Sequence, residues 1–440
     1  MAKFQLTRRR LIGATAAGTL LSAFPAPFVR AQSKRPLVFW HNFTQQARSD
    51  HLRAVADKFE AENPDVSVSI EVVPFPAFAQ RWPAARAANG LPDVTTLEAQ
   101  NAIPMYMAGA LNPMDGILPA IGGESAFIPN LLKAGRFQDA VISVPFYAHN
   151  RIMIYRKDRL AEAGLKVPRT WEETLNAAIA TTKAPDHYGW ILKLARDDNG
   201  GSFLLWIMTR SAGGSFFDGE GNVTFDSQPV RDATEFMAEL ARKASGPTAI
   251  SAKINDNFNL MNSGKQSLTE DSTAMIAVAK AQAPAVAAQL EGAAMPRRES
   301  VGNLIGSISL AMPKGNGNSE DAARFVKFLY QEDNYLPFLH SMPLFMFPTV
   351  TDAAIQEKFM AEPTVAAYPG AVKATLDGIS SGSLPGMEHG SNPYASIVFS
   401  SHICEEMFHD ILLRNTPVEQ AVAKTAARME GLISEVRSRL

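Results

Sequence analysis

Between residues 36 and 98 the apolar residues switch repeatedly between two spacings, and this alternation restricts the fold more than any other feature. PLVFWHNF (36–43) is an apolar, aromatic run of the kind that forms a buried strand. In ARSDHLRAVADKFEAENPD (47–65), Leu52, Val55, Ala56 and Phe59 share one helical face, and Asn63-Pro64 stops the helix. VSVSIEVVPF (66–75) alternates and is β-branched, which predicts a second strand. AFAQRWPAARAANG (77–90) is partly helical with Gly90 as a stop, and PDVTTLE (92–98) is a third short strand. Strand, helix, strand, helix, strand at this spacing predicts an α/β fold with a parallel sheet covered by helices.

Beyond AVISVPFYAHNRIMIYRKDRLAEAG (140–164) the pattern becomes mostly helical. Thr170 with Glu173 three residues on predicts a capping box at the head of the helix in 170–183. FLLWIMTRSAGGSFFDGEGNVTFDS (203–227) reads as an apolar helix, a Gly-rich turn and a short strand. Helices are predicted in 229–243, 319–333 and 417–440, and a strand in 304–313. No repeat or low-complexity linker interrupts the chain, so two domains joined by several short crossings are expected.

The first residues predict export. Arg8, Arg9 and Arg10 precede an apolar run from Leu11 to Phe24, shorter than the roughly 20 residues a membrane span needs. Val29-Arg30-Ala31 suits cleavage after Ala31, and Thr7 to Ile12 resembles a twin-arginine signal, so residues 1–31 are expected to be removed. No cysteine lies there to carry a lipid, so a freely soluble periplasmic protein is expected. Cleavage removes five basic residues and no acid, taking the formal net charge from −2 to −7, which argues against nucleic acid or anionic lipid as partner. Cys404 is the single cysteine, so neither an internal disulfide nor a thiolate metal cluster is available.

Several stretches carry a family resemblance. VFWHNF, FEAENPDVSVSIEVVP, ANGLPDVTTLE, SVPFYAHNRIMIYRKDRLAEAGLKVPRTWEETL, FFDGEGNVTFDSQPVRDATEFM, FNLMNSGKQSLTED and GSISLAMPKGNGNSEDAARFVKFLYQED follow one another from about 38 to 333. In this order they resemble the extracellular solute-binding proteins of ABC importers, in particular the large carbohydrate-binding group, family 1. The resemblance implies two α/β lobes in the periplasmic-binding-protein fold, joined by hinge segments. By analogy one lobe takes 34–145 plus 304–346, and the other 146–303 plus 347–440. It implies a monomer that binds a sugar or polyol between the lobes, closes over it and delivers it to the transmembrane subunits of an ABC permease. No catalytic residue, cofactor or metal is expected.

A hydroxyl-rich ligand requires polar partners and aromatic faces. The resemblance points to Trp40 and His41 at the end of the first strand, with core packing the alternative for Trp40. Phe78 stands where related proteins place a stacking aromatic, again with core packing as alternative. Glu98 ends the third strand, where ligands meet parallel sheets and a carboxylate can accept from hydroxyls, a solvated strand end being the alternative. Tyr147 and His149 lie in the first crossing, as ligand contacts or as hinge packing. Trp206 is the candidate platform of the second lobe, a core tryptophan being the alternative. Asp271 and Ser272, beside Glu270, fall in a polar family block; Gly306 and Ser307 open the returning strand; Phe345 and Met346 lie in the third crossing, with core packing the alternative. Glycerol-phosphate binders of the group place an arginine ahead of a Gly-x-x-Pro stretch; here MEHGSNPY has Glu388-His389 instead, which favours a neutral ligand over a phosphorylated polyol.

Other motifs fail on context. GISSG (378–382) matches a nucleophile elbow, but no buried strand precedes it and SLPG follows it. SGKQS (263–267) lacks the upstream glycine and the hydroxyl residue after the lysine that a phosphate loop needs. His402, Glu406 and His409 share a helical face without zinc-protease spacing, so a structural face is expected. The rival function is a secreted glycan hydrolase using Glu98 with Glu270 or Asp271.

Overall fold

The computed structural model describes residues 34–315 and 317–437. The expected export signal therefore lies outside the described residues, among which no helix is long and apolar enough to cross a membrane.

The alternating start folds as its spacing requires. Strand β1 (Arg35–His41) leads through helix α1 (Gln46–Glu62) to β2 (Val66–Val72), then through α2 (Phe75–Ala87) to β3 (Val94–Glu98) and α3 (Ala99–Met107). β1 lies between β2 and β3 and is parallel to both, with Arg35 opposite Val66 and Phe39 opposite Val94. Leu52, Val55, Ala56 and Phe59 turn the apolar stripe of α1 onto the sheet, and the helix ends at Asn63. Antiparallel pairings extend this sheet to six strands, one of them the short Leu111–Asn112 beside Met312 and Pro313. The strand Ile305–Pro313 pairs with β3, placing Ile308 opposite Glu98, and the strand Val144–Asn150 pairs with it in turn, placing Gly306 opposite His149.

A second sheet of three antiparallel strands has Ile152–Arg156 at its centre, flanked by Leu290–Ala293 and Leu268–Asp271. Each sheet is the centre of one lobe. Only Arg151 separates the strand ending at Asn150 from the one starting at Ile152, so the chain passes from one sheet to the other in a single residue. The Arg151 N–H donates to the carbonyl of Leu304 at 3.0 Å, so the first and second crossings run side by side.

The capping box forms as predicted: Thr170 accepts from the Glu173 N–H, and Glu173 from the Thr170 N–H. The short strand expected near 223 is reduced to one bridge between Phe217 and Val223. The helix expected over 319–333 breaks into Ser319–Leu329 and Glu332–His340. The GISSG stretch lies at the end of the helix Pro369–Ser381. A Cβ on Gly378 would lie 1.8 Å from the Asn150 amide, so that glycine serves close packing of the helix on the crossing strand.

Candidate functional site

β3 ends at Glu98 and the antiparallel strand starts at Ile305, so both deliver side chains to one end of the larger sheet. There a cavity of about 280 Å³ opens, lined by Glu98, Gln100, Asn101, His149, Ile305, Gly306 and Ser307. The other lobe supplies Asn199, Phe203, Ser396, Phe399 and Ser400, and Arg151 stands between the two groups. The cavity thus sits where the crossings meet and beyond the carboxyl end of a parallel strand.

Its polar chemistry is one-sided. Gln100 Oε1, His149 Nδ1, Asn199 Oδ1 and Ser307 Oγ are buried without a protein hydrogen-bond partner, and all four residues line this cavity. Two of these atoms are amide oxygens that only accept, while the imidazole nitrogen and the hydroxyl can accept or donate. The Glu98 carboxylate adds more acceptors; it takes hydrogen bonds from Gln100 Nε2 at 3.0 Å and Asn101 Nδ2 at 3.4 Å. Burial raises the pKa of Glu98, against the Asn101 amide that favours the charged form. Burial, with help from the Arg151 charge, lowers His149 to about 3, so the ring is neutral. Its orientation is fixed by Phe345, stacked on it with centroids 4.8 Å apart, and by Gly306, where a Cβ would lie 2.3 Å from the ring.

The cationic side is tied up. Arg151 donates to Glu270 Oε1 at 2.5 Å and lies 5.1 Å over the ring of Phe203. Glu270 is fully buried and also accepts from the fully buried Lys193 at 2.6 Å. Burial alone would push Glu270 up, but Arg151 and Lys193 outweigh it and hold the carboxyl below its ordinary range.

Of the residues expected from sequence, Glu98, His149 and Ser307 come together on the cavity, with Gly306 beside them. Phe345 supports His149 from behind. Phe78 is half-buried beside the cavity, in a separate groove between α2 and α3, stacked on Trp82 at 5.8 Å. The others do not line the cavity. Trp40 is buried, with the Arg81 guanidinium 4.8 Å over its ring. His41 is buried against Phe43, and burial, then Arg48, lowers it to about 4. Tyr147 packs between Phe338 and Phe345, receives a bond from Arg48 at 3.4 Å and is raised to about 12 by burial. Trp206 and Met346 are core residues. Asp271 is buried, accepting from Asn257 at 2.6 Å and from the Ser272 N–H at 2.8 Å; Ser272 is buried beside it. Glu388 accepts from Ser215 within the second lobe. Glu388 does not line the cavity, so the sequence argument from Glu388 against a phosphorylated ligand does not bear on it.

Sequence reading missed Arg151, Asn199, Phe203 and Phe399, and the Lys193–Glu270 pair behind them. Arg151 and Lys193 left a trace, each being a lone cation in an apolar run, HNRIMIY and WILKLA. Elsewhere Glu406 pairs with Arg428 at 2.6 Å and His409 Nε2 lies 2.8 Å from the Leu194 carbonyl, so these two side chains are engaged structurally.

Residues 45–335 match the family model described as bacterial extracellular solute-binding protein. The chain is 26% identical over 281 residues to the mannitol-binding protein of Pseudomonas aeruginosa, a match covering 62% of this chain and 64% of that protein, just under two thirds of its length. Among solved structures, an ABC transporter solute-binding protein from Thermotoga lettingae bound with α-D-tagatose superposes with a TM-score of 0.75 at 21% identity, over 91% of this chain and 100% of that one. One from Agrobacterium vitis with bound D-mannitol gives 0.68 at 24% identity, over 91% and 99%. These likenesses establish the fold as that of two-lobed periplasmic binding proteins. With most of its length matched by the family model, the chain belongs to the bacterial extracellular solute-binding proteins.

Proposed function

We propose that this chain captures a neutral, hydroxyl-rich solute, a sugar or polyol, in the cavity between its lobes and delivers it to the membrane subunits of an ABC permease. One observation carries the reading: four residues that line one cavity each hold a buried polar side-chain atom without a protein partner, and acceptors predominate among these atoms. A buried acceptor is costly until a donor reaches it. Hydroxyl groups donate and accept, so a polyol satisfies the whole set. Phosphate and carboxylate groups bring only acceptors and leave it unsatisfied. The volume, about 280 Å³, suits a solute of monosaccharide size. The names of the relatives agree, one being a mannitol-binding protein and others holding tagatose or D-mannitol.

In this reading one lobe takes 34–145 plus 304–346 and the other 146–303 plus 347–440, a division supported by the crossings at Arg151 and beside Leu304. Solute contacts with both lobes favour the closed form, which the permease recognises in the periplasm. No bond is broken. A hydrolase needs two free carboxylates facing one another, but Glu270 is held by Arg151 and Lys193, and Asp271 by Asn257 and Ser272. A thermal-shift screen over sugars, polyols and their phosphates tests the proposal. A neutral hydroxylated compound should raise the Tm by mass action, and its phosphate should not. A shift with phosphates alone, or release of reducing ends from oligosaccharides, would replace it with one of the two rivals.

A further inference from the structure

The groove between α2 and α3 holds about 690 Å³, more than twice the volume of the cavity. It adjoins the cavity, with Glu98 and Asn101 lining both. Its chemistry is the opposite. Phe78, Trp82, Pro83, Leu97, Pro104 and Met105 form its walls. Its polar side chains already have partners: Asn42 and Thr96 bond each other, Asn101 donates to Glu98, and Arg86 donates to the Ala108 carbonyl. Among the described residues, none that lines the groove carries a buried polar atom without a partner, whereas the cavity has four.

A second sugar ring laid in the groove would lose water from its hydroxyls and find few groups to replace it. An apolar group would bury its surface against aromatic and aliphatic walls at no such cost. We infer that the solute is amphiphilic, a glycoside or polyol ether whose hydroxylated head fills the cavity while its apolar aglycone lies in the α2–α3 groove. The inference rests on the cavity being the sugar site and adds the class of compound bound there.

Matched pairs test it: D-glucose with phenyl β-D-glucoside, D-galactose with phenyl β-D-galactoside, and D-mannitol with 1-O-benzyl-D-mannitol, titrated calorimetrically into the intact protein. For a head group that binds, the aromatic appendage should tighten affinity about 10-fold to 30-fold, the range expected for burying one ring. Ala87 and Ala108 are exposed and line only the groove, so Ala87→Asp with Ala108→Asp puts charge there with little risk to folding. The double variant should lose the added affinity while the free head group binds as before. Equal affinity of free and substituted compounds overturns the amphiphile and leaves the sugar site standing. A gain that survives the double variant also overturns it, because the appendage then lies elsewhere. If no member of any pair binds, both the amphiphile and the underlying sugar site fall.

Discussion

Gly306 and His149 face each other on adjacent strands so closely that a methyl group at 306 would lie 2.3 Å from His149 Cε1. The ring cannot retreat freely, because Phe345 is stacked on it at 4.8 Å. Gly306→Ala should therefore turn the imidazole out of its place on the cavity wall. The expected result is a loss of solute affinity of about 10-fold or more, with a fall in stability of about 1–3 kcal/mol from overpacking. Calorimetric titration and urea unfolding measure the two effects separately.

The Lys193–Glu270–Arg151 cluster fixes the second-lobe side of the site. Lys193 and Glu270 are both fully buried. Lys193→Met leaves the carboxylate with Arg151 alone and should cost about 3 kcal/mol in urea unfolding. Adding Glu270→Gln leaves the Arg151 guanidinium without a counter-charge, so the double variant should be less stable than the single one.

Glu405 gives the stability a pH dependence. It is fully buried, accepts from the Ser202 N–H at 2.6 Å and from the Ser202 hydroxyl, and burial raises it to about 7. Its folded pKa lies above the unfolded one, so the folded state holds the extra proton. Its contribution is complete below about pH 4.5 and is lost as pH rises through about 7. The swing is about 3 kcal/mol. Melting curves from pH 5 to pH 8 should show the wild type losing stability relative to Glu405→Gln as pH rises.

The parallel start of the fold was readable because period 2 and period 3.6 alternate cleanly there; the expected strand over 92–98 and the observed Val94–Glu98 differ only at the edge. The strand-end argument pointed to Glu98, and the resemblance to His149 and Ser307, all three of which line the cavity. Trp206, offered with core packing as its alternative, takes the core position for a physical reason. Helix Gly200–Ser211 is apolar nearly all round, so its pattern does not reveal which aromatic faces the cavity; Phe203 does, while Trp206 one turn on is buried. Arg151 and Lys193 went unnoticed because their partner, Glu270, is more than seventy residues away in sequence.

Glu98 lies at the carboxyl end of β3 and borders both the polar cavity and the apolar groove, so it bears most directly on the central claim. The decisive measurement is calorimetric titration of the wild type and Glu98→Ala with whichever neutral sugar or polyol raises the melting temperature most. A folded variant is expected whose affinity drops by about 2–3 kcal/mol, the cost of losing a charged acceptor from the site. Unchanged affinity in the folded variant would contradict it.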